Sequence, residues 1–353
     1  MHPSSSVPTA AVRTSFPAAN ASLSWGRFVS VVGTCVVIFA VVILVAPWIG
    51  ASNISVRGVL AGVSPDREIF LIARMPRVLF GAIVGGALAV AGVLFQAILR
   101  NSLATPFTLG VSSGSSFGAV LAIRLGLNLV VFGVPIISVA AFIGAFLTIM
   151  LVFFIARSST GLPTFTLLLA GVTLNFVFAA LILFIHFAAN FQQSFYMVRW
   201  MMGSLYDATD FSYVAQTAPF VLATLAGLVW MSPQLNPLAA GEEWAAARGV
   251  DVERVKKLSY FAGSILTGAV TAFAGPIGFV GLIVPHTLRL LVGPDHRLLI
   301  PGSFFLGGAF LVICDTFART VLAPTEIPVG VVTALLGGPF FIFLLKRRPG
   351  DLW

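Results

Sequence analysis

The chain has 353 residues, of which 58% are hydrophobic and 9% charged, and its formal net charge is +8. Soluble domains carry about 45–50% apolar and about 25% charged residues, so this composition excludes a cytosolic enzyme, a DNA-binding factor and a disordered scaffold. The cations are scattered between apolar runs, which indicates membrane topology signals and no nucleic-acid partner.

The apolar runs predict an all-α integral membrane protein with about ten transmembrane helices, because about 20 apolar residues cross the ~30 Å hydrocarbon core. Residues 1–26, rich in Ser, Ala and Pro, predict a mobile tail, and residues 27–353 predict one transmembrane domain. The run 278–292 is short and contains His286 and Arg289, so its full crossing stays open. The predicted spans are 28–49, 77–98, 107–124, 129–156, 162–189, 211–231, 258–275, 278–292, 299–322 and 327–346.

An even number of spans places both termini on one side of the bilayer, and the basic residues decide which side. With the N-terminus inside, thirteen of the 20 lysines and arginines fall on the inner side, including all three lysines. The other seven fall on the outer side. Because cytoplasmic connections carry an excess of Lys and Arg, both termini are predicted to be cytoplasmic.

Outside the tail, only the outer segment 50–76 and the inner segment 232–257 are long, polar connections. The inner one opens with two prolines, continues as a short Glu- and Ala-rich helix over 242–248, breaks at Gly249 and ends in a second charged helical piece. Two interpretations stay open for it: a cytoplasmic platform for another protein, or an ordinary solvated loop.

The sequence contains no pattern typical of a catalytic, nucleotide or metal site. It has no GxxxxGK[ST] motif, no HExxH motif and no pair of acids spaced for catalysis. Its four histidines have no metal-ligand neighbour at helical spacing. We therefore predict no catalytic residue, no cofactor and no resident metal, and we expect any energy for movement across the membrane to come from a partner.

Few ionisable residues lie inside the apolar runs. Asp315 and Arg319 are one turn apart on the ninth predicted span and can neutralise one another, and Glu326 lies at the outer end beside Pro328. An acid in the membrane is costly and is typical of proton or ion coupling. We favour a paired structural role for Asp315 near the outer interface, with proton carriage as the alternative.

Small residues recur every fourth position on three spans, which places them on one helix face and allows helices to approach closely in lipid. We favour tight internal packing for the second and third spans, and only some of the faces can be subunit interfaces or a gate. The residues are Gly81, Gly85 and Ala89 on the second span, Gly110, Gly114 and Gly118 on the third, and Gly330, Ala334 and Gly338 on the tenth.

Four blocks between about residues 74 and 347 share long, Gly- and Pro-punctuated patterns with one known family. They are 74–118, which begins RMPR; 200–205, WMMGSL; 274–308, which begins AGPIGF; and 315–347, which contains EIPVG and LLGGPFF. They resemble the FecCD-type permeases of ATP-binding-cassette (ABC) importers for iron-siderophores, haem and cobalamin. Ser102, Arg248 and Gly338 stand where the family usually has Pro, Leu and Ala.

The resemblance implies a type II ABC importer permease fold in the bacterial inner membrane, with ten helices per subunit. It also implies the partners: a second copy of the chain around a central pathway, two cytoplasmic ATPase subunits and an extracytoplasmic binding protein. The chain itself would be non-catalytic. The first candidate cargo is a ferric siderophore, the broadest class in the family, while haem and cobalamin stay open.

The resemblance further implies residue roles. In the family, the loop between the sixth and seventh spans docks into the ATPase, and basic outer residues meet acidic residues of the binding protein. For Arg77, anchoring to lipid headgroups is the alternative. The implied ATPase contacts are Glu242, Glu243, Ala246, Arg248 and Gly249, and the implied docking residues are Arg74, Arg77 and Arg319.

The rival from another class is a secondary transporter driven by protons or sodium. It would need an acid embedded in the membrane or an unwound ion site, and it would work without nucleotide. The shortage of intramembrane acids disfavours it.

Overall fold

The computed structural model describes residues 23–158 and 161–346. Most of the predicted tail, and Arg13, Arg347 and Arg348 from the topology count, lie outside the described residues. An antiparallel hairpin of β1 (Val130–Val131) and β2 (Val134–Pro135) joins α5 to α6. The helices are α1 (Trp25–Val45), α2 (Val56–Ala61), α3 (Asp66–Glu68), α4 (Met75–Ile98), α5 (Val111–Arg124), α6 (Ile136–Ala156), α7 (Thr164–Ala188), α8 (Phe191–Met201), α9 (Ser212–Ala240), α10 (Glu242–Ala247), α11 (Val252–Ala274), α12 (Val280–Val292), α13 (His296–Ala318) and α14 (Val329–Lys346).

Each of the ten predicted spans contains a helix: α1, α4, α5, α6, α7, α9, α11, α12, α13 and α14. Six helical segments in the described ranges are long and apolar enough to cross a membrane. The prediction of an all-α, multi-pass membrane protein is therefore confirmed. α12 has only 13 residues and rises about 20 Å, which is less than the hydrocarbon thickness. Whether the run 278–292 crosses the membrane fully stays open.

α4 lies at the centre of the bundle. Nearly all of its side chains are buried, and it contacts α13, α11, α9 and α12. Glycines make these contacts close: a Cβ atom at Gly85 would overlap the carbonyl oxygen of Gly307 on α13, and one at Gly92 would overlap that of Gly281 on α12. Such backbone contact gives the dispersion energy that holds helices together in lipid.

A second close pair consists of α5 and α6. A Cβ at Gly118 would overlap the carbonyl oxygen of Ala140, and one at Gly114 would overlap the side chain of Thr148. The same face of α6 approaches α11, where the Ala145 methyl would lie 3.1 Å from a Cβ at Gly268. Small residues of the second and third predicted spans thus lie at close contacts with other helices of this chain.

Several boundaries differ from the predictions. α1 begins at Trp25, inside the predicted tail, because Ser24 accepts a hydrogen bond from the Arg27 N–H and caps the helix. The predicted span 129–156 begins with the hairpin, since Gly133 adopts φ +78°. α8 was not predicted at all. Its 11 residues mix apolar and polar side chains, and the capping box of Asn190 and Gln193 begins it.

The largest difference concerns the inner connection. The expectation that it begins at residue 232 with a proline-containing loop was wrong, because α9 continues through Pro233 and Pro237 to Ala240. Membrane helices tolerate proline where neighbouring groups compensate for the missing N–H. The connection between α9 and α11 is therefore short, and consists of Gly241, α10 and residues 248–251.

Candidate functional site

A buried charge cluster lies where α4 begins and α13 ends. This end of the molecule is named outer, and the end that carries α10 is named inner, after the orientation predicted from the basic residues. Arg77, in the first turn of α4, donates from Nη2 to Oδ1 of Asp315 at 2.8 Å and from Nε to Oδ2 at 3.0 Å. Its Nη1 donates to Oε2 of Glu326, just before α14, at 2.7 Å. Arg77 is 9% exposed and Asp315 2% exposed. A guanidinium that grips a carboxylate with two N–H groups forms the strongest class of ion pair.

Two more arginines adjoin this cluster and bind backbone instead of carboxylates. Arg74 donates from Nη1 to the carbonyl oxygen of Pro47 at 2.9 Å, and Arg319 donates from Nη2 to that of Ala46 at 2.7 Å. Both side chains are buried. Both carbonyls belong to the short turn that follows α1, so the two arginines fasten the end of α1 to the outer ends of α4 and α13.

The three arginines expected to dock a binding protein are thus brought together, but each is engaged inside the chain. Their docking role is not tested by these contacts and stays a prediction. A paired role for Asp315 agrees with the geometry, although its main partner is Arg77. Arg319 lies farther away, with Nε 3.9 Å from Oδ2. Sequence spacing suggested only Arg319, because Arg77 is 238 residues distant in the chain.

The glycine on α14 at position 338 differs from the other predicted packing glycines. At Gly81, Gly85, Gly110, Gly114, Gly118 and Gly330 an added Cβ would meet atoms of this chain, whereas at Gly338 it would meet none within 4 Å. The predicted packing role of Gly338 is therefore not fulfilled within the described part of the chain. Leu335, one turn before Gly338 on the same side of the helix, is 70% exposed, so this face of α14 is open.

At the inner end of the molecule, α10 forms a small exposed platform. Ala245 faces inward and is fully buried, and Gly249 ends the platform in the left-handed region at φ +79°. The remaining predicted contact residues differ in exposure: Glu243, Ala246, Arg248 and Gly249 are exposed, while Glu242 is half-buried. The loop is thus an ordered helix with one solvent-facing side.

Two platform residues were missed by the sequence reasoning. Trp244 is 61% exposed, and the guanidinium carbon of Arg248 lies 5.0 Å from the centre of its ring. Lys256, in the second turn of α11, is 3% exposed, and its Nζ donates to Oε1 of Glu242 at 2.8 Å. The signal for Trp244 was an aromatic residue within a polar Glu- and Ala-rich helix. Nothing local distinguished Lys256 from its neighbour Lys257.

A carboxylate next to the platform joins two helices. Asp295 caps α13, binds Arg297 through both carboxylate oxygens and accepts from Nδ2 of Asn236 on α9 at 2.9 Å. Burial acts to raise the pKa of Asp295, but the hydrogen bonds from Arg297 and Asn236 outweigh it, so the pKa is lowered overall. The charged form therefore stabilises this corner of the inner surface.

On the outer side, a joint of main-chain contacts surrounds Gly203, in the WMMGSL block. Its carbonyl accepts from the N–H of Gly330 at 3.1 Å, and the N–H of Ser204 donates to the carbonyl of Ala274 at 2.8 Å. Gly203 has φ +69°, and a Cβ there would overlap the carbonyl oxygen of Pro276. The ends of α8 and α11 and the start of α14 are thus connected through backbone atoms.

Beside this joint lies a cavity of about 620 Å³. Its walls are the outer ends of α5, α6, α8 and α11 with the segment after Gly203. They combine aromatic rings with polar groups, and Arg199 lies over the ring of Tyr206, 4.7 Å from its centre. Residues that supply this mixed lining include Asn128, Gln192, Tyr196, Trp200, Ser204 and Asp207. The sequence reasoning had not identified any lining residue.

Comparisons with known proteins agree with this architecture. The chain is 45% identical over 277 residues to the cobalamin import system permease protein BtuC of Halobacterium salinarum, covering 78% of this chain and 72% of that protein. It is 36% identical over 323 residues to the hemin transport system permease protein HmuU of Yersinia pestis, covering 90% and 95%. It is 33% identical over 290 residues to the iron(3+)-hydroxamate import system permease protein FhuG of Bacillus subtilis, covering 81% and 86%.

A solved structure assigned to the metal-chelate type of ABC transporter, in an inward-facing conformation, matches the fold. The TM-score is 0.79 at 30% sequence identity, with 91% of this chain and all of that chain covered. The family model for the FecCD transport family matches residues 36–347, which include the charge cluster, the cavity and the platform. The chain therefore belongs to the FecCD transport family of ABC transporter permeases.

Proposed function

We propose that the chain is the membrane subunit of an ATP-driven importer that moves a bulky iron complex, with a ferric siderophore as first candidate, across the bacterial inner membrane. Relatives of similar identity are named for cobalamin, hemin and iron-hydroxamate, so haem and cobalamin are the alternative cargoes. The outer cavity beside Gly203 is the proposed entry to the pathway, because it is wide and its lining mixes aromatic and polar groups.

The observation that carries the proposal is the inner platform. An exposed Trp244 on an ordered short helix, flanked by Glu243 and Arg248, is typical of a protein interface, where aromatic and arginine side chains dominate the binding energy. Lipid does not explain it, because the helix is polar and lies next to the lysines of α11. We assign this face to a cytoplasmic ATPase subunit. An importer with two permease chains would then contain two ATPase subunits, one on each chain. ATP binding and hydrolysis there would rock the bundle and open each side of the membrane in turn.

The same reasoning gives the orientation. If the platform meets a cytoplasmic ATPase, α10 is cytoplasmic, and the helix count then places both termini on that side. The excess of Lys and Arg on the platform side supports this orientation.

We further propose that two copies of the chain associate, with α14 at the contact. Ala334 and Gly338 are one turn apart on its open face, and Leu335 beside them is exposed. Small residues at this spacing allow the backbone of another helix to approach closely. Since nothing in the described part of this chain fills the space at Gly338, a second copy is the partner that we assign to it.

On the opposite side, an extracytoplasmic binding protein would approach the outer cluster. Arg74, Arg77 and Arg319 are the proposed docking residues, and they lie together at the outer ends of α4 and α13. Charge pairs at such a surface accelerate and orient docking more than they add affinity. Their internal contacts mean that docking would compete for guanidinium groups that already have partners.

Reconstitution tests the whole proposal. The chain is purified with its ATPase and binding protein, placed in liposomes and supplied with labelled ferric siderophore, haem or cobalamin. We expect uptake only with ATP, and the cargo that most stimulates ATP hydrolysis is the substrate. Replacing both Glu243 and Trp244 by alanine should abolish ATPase association while the protein still inserts. Cargo accumulation by the chain alone, with an ion gradient and no ATPase, would establish the secondary transporter instead.

A further inference from the structure

Lys256 is a buried cation in a place where a lysine could easily have reached water. Lysine side chains normally extend along the protein surface and keep the ammonium group hydrated. Lys257, the next residue, does this: it is one third exposed and pairs with Glu253 on its own helix. The side chain of Lys256 is 4% exposed, and its Nζ lies 2.8 Å from Oε1 of Glu242 on α10.

The ion pair joins two different helices at the only bend between them. Glu242 is the first residue of α10, and Lys256 lies in the second turn of α11. The bend is also closed by backbone, since the N–H of Val250 donates to the carbonyl oxygen of Ala245 at 3.0 Å. The Asp251 side chain accepts from the Arg254 N–H at 3.0 Å and begins α11. The platform and the first turns of α11 thus form one connected unit.

α11 then runs without interruption to the other side of the molecule. Its 23 residues, Val252–Ala274, rise about 34 Å. Its last residues, Phe273 and Ala274, line the outer cavity, and Ala274 accepts the hydrogen bond from Ser204 at the Gly203 joint. A displacement of its inner end therefore has a direct path to the outer cavity along a single helix.

We infer that the Lys256–Glu242 ion pair is the positioning contact that makes α10 and α11 move as one body, so that a push on the platform reaches the outer cavity. This inference rests on the proposed function. It also changes the role of Glu242, which holds α11 from within the platform, whereas Glu243 and Trp244 face the ATPase. The ion pair holds one atom of each helix at a hydrogen-bonding distance of 2.8 Å, whereas apolar contact is non-directional.

The test separates assembly from coupling. Lys256→Met and Glu242→Gln each remove one charge of the ion pair between α10 and α11. The controls, Lys257→Met and Glu253→Gln, each remove one charge of the exposed ion pair within α11. Each variant is reconstituted as the complete complex with ATPase and loaded binding protein. Three quantities are measured: ATPase co-purification, ATP hydrolysis, and cargo uptake per ATP hydrolysed.

We expect Lys256→Met and Glu242→Gln to retain the ATPase and its hydrolysis, while uptake per ATP falls about tenfold, within the range known for residues that carry coupling between sites. The exposed-pair variants should match the wild type. Spin labels at Arg248→Cys and Arg254→Cys should report a broader distance distribution when Lys256 is replaced, which a purely local packing defect elsewhere would not produce.

Two outcomes would overturn the inference. One is wild-type uptake per ATP in both Glu242→Gln and Lys256→Met. The other is loss of ATPase co-purification in Glu242→Gln, since Glu242 would then be a docking contact. Should Lys256→Met fail to fold, Glu242→Gln alone decides, because its side chain is 41% exposed and its replacement keeps a hydrogen-bonding group. If the wild-type chain binds no ATPase, the proposed function fails, and this result is distinct from either outcome.

Discussion

The guanidinium of Arg77 on α4 and the carboxylate of Asp315 on α13 form a two-pronged, buried ion pair, 2.8 Å and 3.0 Å long. The two helices also share a close backbone contact in the bundle core, at Gly85 and Gly307. The ion pair therefore holds the outer ends of α4 and α13 together, and the glycine contact holds their middles together. Glu326 extends the network to the start of α14.

Removing one member of this pair should strongly destabilise the protein. Arg77→Met leaves the buried carboxylate of Asp315 without its main partner, and Asp315→Leu leaves Arg77 with Glu326 as its remaining carboxylate. Each should cost about 3–5 kcal/mol, whereas the double variant loses both charges and should recover much of that. Thermal unfolding of the detergent-solubilised chain measures the difference. Arg67→Gln, on the exposed outer segment, is the control and should leave Tm unchanged within error. Equal losses in single and double variants would contradict the paired role.

A single substitution decides whether Asp315 carries protons. In a structural role, Asp315→Asn keeps ATP-driven uptake, because no proton has to pass through position 315 and the proposed docking residue Arg77 is unchanged. A proton carrier could not be replaced by an amide without loss of transport. Uptake in reconstituted liposomes is measured against the amount of folded protein. Full loss of uptake in a well-folded Asp315→Asn variant would support proton carriage.

The glycine contact between α4 and α13 predicts a position-specific effect of one methyl group. Gly85→Ala should destabilise the chain by about 1–3 kcal/mol, because the new Cβ overlaps the backbone of Gly307 and the helices must separate. Gly227→Ala on α9 is the matched control. A Cβ there meets no atom within 4 Å, so it should be neutral or stabilising by up to about 1 kcal/mol. Similar unfolding temperatures for the two variants would refute the close contact.

The open face of α14 predicts an effect on association without an effect on the single chain. Gly338→Leu should weaken the homodimer at least about tenfold, because it fills the space reserved for a partner backbone. The unfolding temperature under dissociating conditions should stay near that of the wild type. Mass measurement in nanodiscs over a range of protein concentrations gives the dimer fraction. Gly227→Leu serves as control, and an unchanged dimer fraction in Gly338→Leu would place the interface elsewhere.

The lowered pKa of Asp295 predicts a pH-dependent contribution to stability. Because the folded-state pKa lies below the unfolded value of about 3.9, the charged form stabilises the native state at higher pH. That contribution is present above the unfolded pKa and is lost as the pH falls through the folded pKa. Asp295→Asn should therefore be less stable than wild type at pH 7, and the gap should narrow below about pH 4. Unfolding scans from pH 7 to pH 3 measure the gap, with Glu253→Gln as an exposed control. A gap that does not change with pH would contradict the charge dependence.

The spans could be predicted because the length and apolarity of a run are local properties of the sequence. α10 was also predictable, since its Glu and Ala residues favour a helix and Gly249 ends it. The continuation of α9 through Pro233 and Pro237 was not, because local propensity predicts a break there and only the surrounding helices reverse that preference. α8 escaped detection because its 11 residues are too few for a membrane span.

The sites were harder to predict than the helices. Arg77 and Asp315 are far apart in the chain, so their pairing depends on how α4 packs against α13, which single-sequence patterns do not specify. Lys256 and Lys257 are neighbours with opposite environments, and the helical rotation between them decides which one faces Glu242. The cavity residues come from four helix ends, and no spacing rule brings these ends together.

The joint at Gly203 is held by main-chain hydrogen bonds, to which Ser204, Ala274 and Gly330 contribute N–H or C=O groups. Main-chain N–H and C=O groups of the joint are unaffected when the side chains of the cavity wall are replaced. Mutation can therefore replace Tyr196, Arg199 and Trp200 in the cavity wall while the main-chain joint beside them stays intact. In such a fold, the cavity lining can adapt to a different large cargo without disruption of the helix packing.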